Sequence, residues 1–381
     1  MRKFALLLFF LIVGVGLVAY FNWDKIQSFF FQPRSSSLIK GTSLASLDPE
    51  SSAAEISIIA ENLDIPWEIE FLPSGDLLVT ERSGQLVRLQ ADTRQSTPVE
   101  GVEHVGEGGL MGLALHPDYQ NNNYLYLYLT TRTDQGLTNR VERYLYDEAA
   151  NRLNNRHVII ENIPGAFVHD GGRIAFGPDG KLYITTGDAG TETNAQDTSS
   201  LAGKILRLND DGSLPSDNSF QNPVYSYGHR NPQGLAWDDQ GRLWATEHGP
   251  SGAGTGFDEV NLIEKGANYG WPTIQGDETR EGMQSPIIHS GSQDTWAPGA
   301  LEIVGNHLYF VGLRGQALYS AEINGSQLSN LTEHFKTEYG RLRVVKAGLD
   351  GFLYLATSNR DGRGDINPGD DKIIRVSPSF F

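Results

Sequence analysis

The chain of 381 residues contains no cysteine, so disulfides are excluded and cysteine usage gives no indication of the cellular compartment. Positive charge is also scarce: 30 basic against 47 acidic residues leave a net charge of −17. Such a charge argues against nucleic-acid binding and against charge-driven binding to anionic lipid. No long amphipathic helical pattern follows residue 31, whereas 43 glycines supply many sites for tight turns. These absences favour an all-β fold.

What the sequence has instead is a unit that recurs six times: an apolar run, a tight turn and a second apolar run. The clearest copy spans residues 172–186, with Pro178-Asp179-Gly180 at its turn. The six turns fall near residues 75, 121, 180, 241, 305 and 351. Their spacing of about 46 to 64 residues is close to the length of a four-stranded propeller blade. The repeat therefore predicts a six-bladed β-propeller, with a β-sandwich or barrel as the alternative.

The N-terminus carries the one long uncharged run. Arg2 and Lys3 precede 18 uncharged residues, Phe4 to Phe21. As a helix this run would span about 27 Å, close to the hydrocarbon thickness of a bilayer. Its length and its poor cleavage site favour an uncleaved signal anchor with the N-terminus inside, over a cleaved and secreted form.

The chain thus divides into three predicted parts. Residues 1–31 form a transmembrane signal anchor, residues 32–55 a Ser-rich linker and residues 56–381 the propeller. We expect the propeller to lie outside the cytoplasmic membrane, in the periplasm or an equivalent compartment, tethered by its N-terminal helix.

A first polar cluster flanks the clearest hairpin. His169 to Arg173 precede its first strand, and Gly187 to Gly190 follow its second. Because a hairpin brings its two ends together, His169 and Asp188 should lie on the same rim. A histidine oriented by a carboxylate is suited to act as a general base. A histidine that caps a loop, beside an ordinary turn aspartate, is the alternative.

Further polar clusters follow in the next copies of the repeat. Residues 225–234 include Arg230 and Asn231, and an arginine there suits a carboxylate or a quinone oxygen. Residues 247–272 combine carboxylates with constrained carbonyls, which are ligands for a hard cation such as calcium. Three cations from the last two copies, in an acidic protein, suggest an anionic ligand: Arg314, Arg341 and Arg343. Solvated loops are the alternative for each cluster.

These clusters resemble the glucose/sorbosone dehydrogenase family, the soluble quinoprotein glucose and aldose sugar dehydrogenases. The resemblance covers about residues 56–377, and it rests on three segments: His169-Asp170-Gly171-Gly172-Arg173, Gly228-His229-Arg230-Asn231-Pro232-Gln233-Gly234-Leu235 and Asn268-Tyr269-Gly270-Trp271-Pro272. It implies a six-bladed propeller with pyrroloquinoline quinone (PQQ) across its top and calcium beneath the cofactor. It also implies oxidation of aldose sugars at the anomeric carbon to lactones.

The resemblance also assigns roles to single residues. His169 would be the general base that takes the proton of the anomeric hydroxyl while hydride passes to C5 of PQQ. Asp188 would support its imidazolium, and Arg230 would stabilise charge on the C5 oxygen. The residues implied to contact the cofactor are Glu107, His169, Arg230, Asn231, Arg314, Arg341 and Arg343. The implied calcium ligands are the carbonyls of Gly249 and Pro250, with a second, structural calcium at Glu259 and Tyr269.

Four positions depart from the glucose-specific branch of that family: Val168, Thr193, His248 and Arg314. That branch has an acid, amides and a lysine there, so the chain resembles the broader-specificity aldose branch more closely. The segment Trp296-Ala297-Pro298-Gly299 is a candidate wall of the substrate cleft. The physiological sugar and the electron acceptor are open at this stage.

Two other functions fit a propeller. One is a calcium-dependent hydrolase such as a lactonase, although predicted carbonyl ligands and three crowded arginines disfavour it. The other is a non-catalytic binding scaffold, against which the His169 and Asp188 pair argues.

Overall fold

Six antiparallel four-stranded sheets make up the computed structural model, which describes residues 56–90, 93–250 and 256–380. The chain enters through β1 (Ile56–Ala60). Blade 1 then comprises β2 (Pro66–Phe71), β3 (Leu77–Glu81), β4 (Gln85–Gln90) and β5 (Thr93–Pro98). Blade 2 comprises β6 (Leu110–Leu115), β7 (Tyr124–Thr133), β8 (Gly136–Asp147) and β9 (Arg152–Pro164). Blade 3 comprises β10 (Ile174–Phe176), β11 (Leu182–Thr186), β12 (Lys204–Leu208) and β13 (Val224–Tyr227).

The second half of the chain continues the same meander. Blade 4 comprises β14 (Pro232–Trp237), β15 (Leu243–Glu247), β16 (Glu259–Ile263) and β17 (Ile288–His289). Blade 5 comprises β18 (Pro298–Val304), β19 (His307–Gly312), β20 (Ala317–Asn324) and β21 (Gln327–His334). Blade 6 comprises β22 (Leu342–Ala347), β23 (Leu353–Thr357) and β24 (Ile373–Val376), and β1 completes it. The short helices are α1 (Tyr119–Asn122), α2 (Thr193–Gln196) and a 3₁₀ turn at Pro378–Phe380.

The repeated unit of the sequence is the hairpin of the first two strands of each blade. In the clearest copy, β10 pairs with β11 through Ile174↔Ile184 and Phe176↔Leu182. Its turn needs Gly180, whose φ of 69° lies in the left-handed region. The second copy turns through α1 instead, and Asn123 there has a φ of 51°. The predicted six-bladed β-propeller is confirmed.

Burial follows the order of strands within a blade. The second strand is buried along its whole length in blades 1, 3, 4 and 6. The outermost strand β5 is largely exposed. Side chains of the inner strands pack on neighbouring blades, so the core lies between blades as well as within them.

The two ends of the described chain meet in blade 6. β1 pairs antiparallel with β24, through Ile56↔Val376 and Ile58↔Ile374. This pairing closes the ring, because blade 6 combines one strand from the start of the described chain with three strands from its end.

In the part of the chain that the structure describes, no helix is both long and apolar enough to cross a membrane. The predicted signal anchor and the Ser-rich linker lie outside the described residues. Both stay predictions, as does the extracytoplasmic location.

Candidate active site

His169 lies in the connection from blade 2 to blade 3, between β9 and β10. Its φ of 61° places it in the left-handed region, which is unusual for a residue with a side chain. The backbone of Gly187 passes directly against it, and a Cβ at Gly187 would lie 1.9 Å from the His169 carbonyl oxygen. The site therefore requires a glycine at 187 before the acidic residue that follows.

The predicted pair of His169 and Asp188 forms. His169 Nδ1 lies 2.7 Å from Asp188 Oδ1. Asp188 is fully buried, and its carboxylate also accepts hydrogen bonds from Gly190 N (2.8 Å) and Trp271 Nε1 (2.9 Å). Burial alone would raise the pKa of Asp188, but the hydrogen bonds and the charge of His169 hold it below its usual value. Asp188 is therefore an anion that orients the imidazole.

Arg230 and Asn231 lie beside this pair, in the connection from β13 to β14. The Arg230 carbonyl accepts a hydrogen bond from Asp188 N at 2.8 Å, and its guanidinium lies 5.4 Å from the centre of the Trp271 ring. Burial lowers the pKa of Arg230 from its usual value. Asn231 Oδ1 accepts from Gly171 N at 3.0 Å, whereas the buried Asn231 Nδ2 has no protein partner. The amide thus has a donor left over for a bound molecule.

A buried network fixes the backbone of Arg230. Glu247 accepts from Arg230 N with one oxygen and lies 2.8 Å from His229 Nδ1 with the other. Ser226 Oγ lies 2.9 Å from His229 Nε2. Because both ring nitrogens of His229 are engaged and the side chain is fully buried, this histidine supports the site rather than lining it.

The three predicted cations come from the last two blades: Arg314 follows β19, and Arg341 and Arg343 lie at the start of blade 6. Arg341 pairs with Asp361 (Nη2 to Oδ2, 2.8 Å), and Arg343 Nη1 donates to Gln233 Oε1 at 2.5 Å. Arg343 Nε is buried without a protein partner. Burial, with a smaller contribution from the neighbouring Arg341, lowers the pKa of Arg343 to about 9 and that of Arg314 to about 10. Such mutual repulsion of buried cations is relieved by an anion bound among them.

Glu107 is fixed from two sides by protein groups. One oxygen accepts from His169 N at 2.9 Å, and the other lies 2.8 Å from Arg363 Nη1. Burial would raise its pKa, but Arg363 and His169 hold the pKa well below its usual range. The structure therefore brings Glu107 to His169, and it adds Arg363, which the sequence did not single out.

Gly249 and Pro250 follow β15 on the same rim. Gly249 N donates to Asp258 Oδ1 at 2.9 Å, and His248 Nε2 lies 2.9 Å from the Pro298 carbonyl oxygen. Burial lowers the pKa of His248 to about 4, so its ring is neutral near neutral pH. Residues 251–255, which come next, lie outside the described residues.

Asp258 ties this turn to the segment before β18. Its second oxygen accepts from Trp296 N at 2.6 Å and from Ala297 N at 2.9 Å. The Trp296 ring is buried against Phe310 and Tyr319, with centroids 5.2 and 5.7 Å away. The Trp296 ring therefore packs in the core, and the assignment of the segment Trp296-Ala297-Pro298-Gly299 to the wall of a substrate cleft stays a prediction.

Glu259 and Tyr269 lie beside the buried pair of Glu247 and His229. Glu259 stands opposite Glu247 in the β15–β16 ladder, and the Tyr269 ring stacks on His229 at 4.8 Å. Burial, and to a smaller extent the charge of the nearby Glu247, raises the pKa of Glu259 to about 8. Over the described ranges, no group of three or more His, Asp or Glu side chains is arranged to hold a metal ion.

Three residues that contact the candidate site residues were not predicted from the sequence: Trp271, Asp258 and Arg363. Trp271 and Asp258 stood within polar clusters, but nothing in their spacing indicated contacts with Asp188 or Gly249. Arg363 lies in the glycine-rich segment Asp361-Gly362-Arg363-Gly364, whose alternating charges were the available signal.

Comparison with known proteins identifies the family. The model of the family described as Glucose / Sorbosone dehydrogenase matches residues 63–373. The aldose sugar dehydrogenase YliI of Escherichia coli is 30% identical over 386 residues, covering 92% of this chain and 99% of that protein. Quinoprotein glucose dehydrogenase B of Acinetobacter calcoaceticus is 36% identical over 254 residues, 58% of this chain and 52% of its own length.

A solved structure agrees with these relatives. The PQQ-bound form of aldose sugar dehydrogenase from Streptomyces coelicolor superimposes with a TM-score of 0.79 at 41% identity, covering 84% of this chain and 97% of that one. The family match covers residues 63–373, which include blades 1 to 5, strands β22 and β23 of blade 6 and the connections that carry His169, Asp188 and Arg230. The chain belongs to the glucose/sorbosone dehydrogenase family.

Proposed function

We propose that this oxidoreductase oxidises aldose sugars at the anomeric carbon to lactones, with PQQ as its redox cofactor. The observation that carries the proposal is the pair of His169 and Asp188, 2.7 Å apart on the rim, beside Arg230. The names of the relatives support it, because they are sugar dehydrogenases and one of them is described as PQQ-bound.

The residues at the rim fit PQQ, which is a polycarboxylate quinone. Two buried donors without a protein partner, Asn231 Nδ2 and Arg343 Nε, are available to its oxygens. Arg314, Arg341 and Arg343 supply the positive charge that carboxylates need. Arg230 and Asn231 would hold the quinone edge, and His169 and Glu107 would border it.

When bound, PQQ supplies an electrophilic quinone carbon, C5, that accepts the hydride of the anomeric carbon. The protein's part is proton transfer and orientation. His169 Nε2 is free to take the proton of the anomeric hydroxyl because Nδ1 is engaged by Asp188. Asp188 would then stabilise the imidazolium, and Arg230 would stabilise negative charge on the C5 oxygen of PQQ.

Calcium is the second proposed cofactor. The carbonyl oxygens of Gly249 and Pro250 would bind it at the cofactor, where it would act as a Lewis acid. The Asp258 hydrogen bond to Gly249 N holds this turn in place. Glu259 and Tyr269 would hold a second, structural calcium, and the buried Glu259 carboxyl, with its raised pKa, is a group that a bound cation would ionise.

Reconstitution tests the proposal. Protein purified in chelator should bind PQQ only when calcium is returned, and the holoenzyme should then reduce a redox dye with a panel of aldoses. Lactone should be the product. Failure to bind PQQ with calcium present would refute the proposal, and calcium-dependent lactone hydrolysis without dye reduction would favour the hydrolase.

A further inference from the structure

We propose that Glu107 and Arg363 form a positioning pair that holds His169 in its working conformation and favours its protonated form during turnover. The inference deepens the proposed function, on which it rests, and concerns how the base is held. It gives Glu107 a role exerted through His169, separate from the cofactor contact that family resemblance implies.

Glu107 is joined to the backbone of the segment that carries His169. Two hydrogen bonds join the segments: Glu107 N donates to the Phe167 carbonyl, and His169 N donates to Glu107 Oε2, both at 2.9 Å. The close approach depends on Gly106, where a Cβ would lie 2.1 Å from the Phe167 oxygen. The His169 N–H, in its left-handed conformation, is thus satisfied by a side chain from another blade connection.

Glu107 is also joined to blade 6. Its Oε1 lies 2.8 Å from Arg363 Nη1, on the connection from β23 to β24. Asp361 accepts from Arg363 N (3.0 Å) and from Arg341 Nη2 (2.8 Å). A continuous chain of contacts therefore runs from the cations of blade 6 through Glu107 to the base in blade 3.

The segment that carries Glu107 is itself fixed. The buried Arg82 guanidinium donates to the carbonyls of Gly106 and Gly108, on either side of Glu107. The carboxylate consequently has little freedom to swing towards or away from His169. Such restraint is what a positioning residue needs, because small displacements of a catalytic base are costly.

The negative charge of Glu107 also acts on His169. Glu107 and Asp188 are the two acids in direct contact with His169, one at its backbone and one at its ring. The other groups that interact with the charge of Glu107 are Arg82, Arg230, Arg343, Arg363, His248 and the Asp170 carboxyl. An anion at 107 favours the imidazolium that forms when the base accepts its proton.

The Glu107→Gln variant separates these effects. An amide has one acceptor atom, so it can keep only one of the two contacts, and it carries no charge. We expect kcat to fall about tenfold, with KM and PQQ affinity changed less than about threefold. The acid limb of the kcat profile should move to lower pH by about half a unit or more, because the neutral ring is then favoured. Glu103→Gln is the matched control, since Glu103 pairs with Arg132 at the exposed surface.

Arg363 supplies the test of pairing. Arg363→Lys, which keeps the charge, should retain most of the activity. Arg363→Gln should lower kcat as Glu107→Gln does, but it should not move the acid limb to lower pH, because the Glu107 anion stays in place. The double variant should cost no more than Glu107→Gln alone. Additive losses would refute the pair. A large loss of PQQ affinity with an unchanged pH profile would show that Glu107 acts as a cofactor contact instead.

A readout without cofactor separates this inference from the proposed function. In cofactor-free protein, the imidazole ¹⁵N signals of His169, identified by their loss in His169→Asn, should titrate at lower pH in Glu107→Gln than in the wild type. Identical titration curves would overturn the inference. If the wild type does not bind PQQ, the proposed function fails while this comparison can still be made.

Discussion

His169 and Asp188 come from opposite ends of one hairpin, and their side chains meet at 2.7 Å on the rim of the propeller. His169 is partly exposed and Asp188 is fully buried, so the carboxylate orients a ring that substrate can reach. The other ring nitrogen is the one available for proton transfer.

Replacing the base should separate catalysis from cofactor binding. His169→Ala removes the proton acceptor but leaves Asn231 and the three arginines of blades 5 and 6. We expect kcat to fall by at least about 100-fold with PQQ affinity largely kept, since general base catalysis contributes about 10²–10⁴-fold. Single-turnover reduction and fluorescence titration with PQQ would measure the two effects. Lost binding without a separate catalytic defect would show that the role is misassigned.

Trp271 should matter through its indole N–H. Trp271→Phe keeps an aromatic ring near Arg230 but removes the 2.9 Å hydrogen bond to Asp188. A hydrogen bond to a charged group contributes about 1.5–3 kcal/mol, so kcat/KM should fall about tenfold or more. Trp271→Ala should fall further because it also loses the ring. Equal activity of Trp271→Phe and the wild type would mean that Asp188 is oriented well enough by His169 and Gly190.

Asp170 should make the stability depend on pH. Burial raises the pKa of its carboxyl to about 7, against the hydrogen bonds from Asn139 and Ala166 that lower it. Between the unfolded pKa of about 4 and pH 7, the folded state holds a proton that the unfolded state releases, so this contribution to stability is lost as pH rises. Asp170→Asn cannot titrate.

The measurement for Asp170 is chemical denaturation at pH 5 and at pH 8. The stability of Asp170→Asn relative to the wild type should increase by about 2–3 kcal/mol between these two pH values. A difference that stays constant with pH would show that Asp170 is ionised throughout.

Asp258 should be essential to the rigidity of the Gly249 turn. It accepts four hydrogen bonds, from Gly249 N, Thr295 Oγ1, Trp296 N and Ala297 N. Asp258→Asn has only one acceptor oxygen, so it can keep only the bonds made to one of the two carboxylate oxygens. If the amide oxygen keeps the three bonds made to Oδ2, Gly249 N is still left without a partner. A buried donor without a partner costs about 1–3 kcal/mol, so the free energy of unfolding should fall by at least about 1 kcal/mol. Calcium should also bind more weakly. Asp239→Asn, at an exposed turn, is the control, and equal losses in both variants would contradict the role of Asp258.

Much of the fold was predictable because each blade repeats one local pattern. Apolar runs and turn residues such as Pro178-Asp179-Gly180 depend on neighbours in sequence, and they give the six inner hairpins correctly. The pairing of β1 with β24 was not predictable in the same way, because it joins segments about 320 residues apart without a local signal.

The site divides along the same line. His169 and Asp188 could be paired from the sequence, because a hairpin of known length joins them. Arg363 could not, since it lies 256 positions from Glu107 in the sequence and reaches it only after the ring has closed. The place of the Trp296 ring, packed on Phe310 in the core, was likewise decided by tertiary contacts.

The sequence by itself thus determined the repeat, the chemistry of the rim residues and the resemblance to a dehydrogenase family. Tertiary structure alone decided which polar groups of different blades contact each other: Glu107 with Arg363 and His169, Arg343 with Gln233, and Asp258 with Trp296. The physical reason is that hairpins form between neighbours in the chain. The contacts of the rim join different blades, and they form only when the closed ring brings the ends of all six inner strands together.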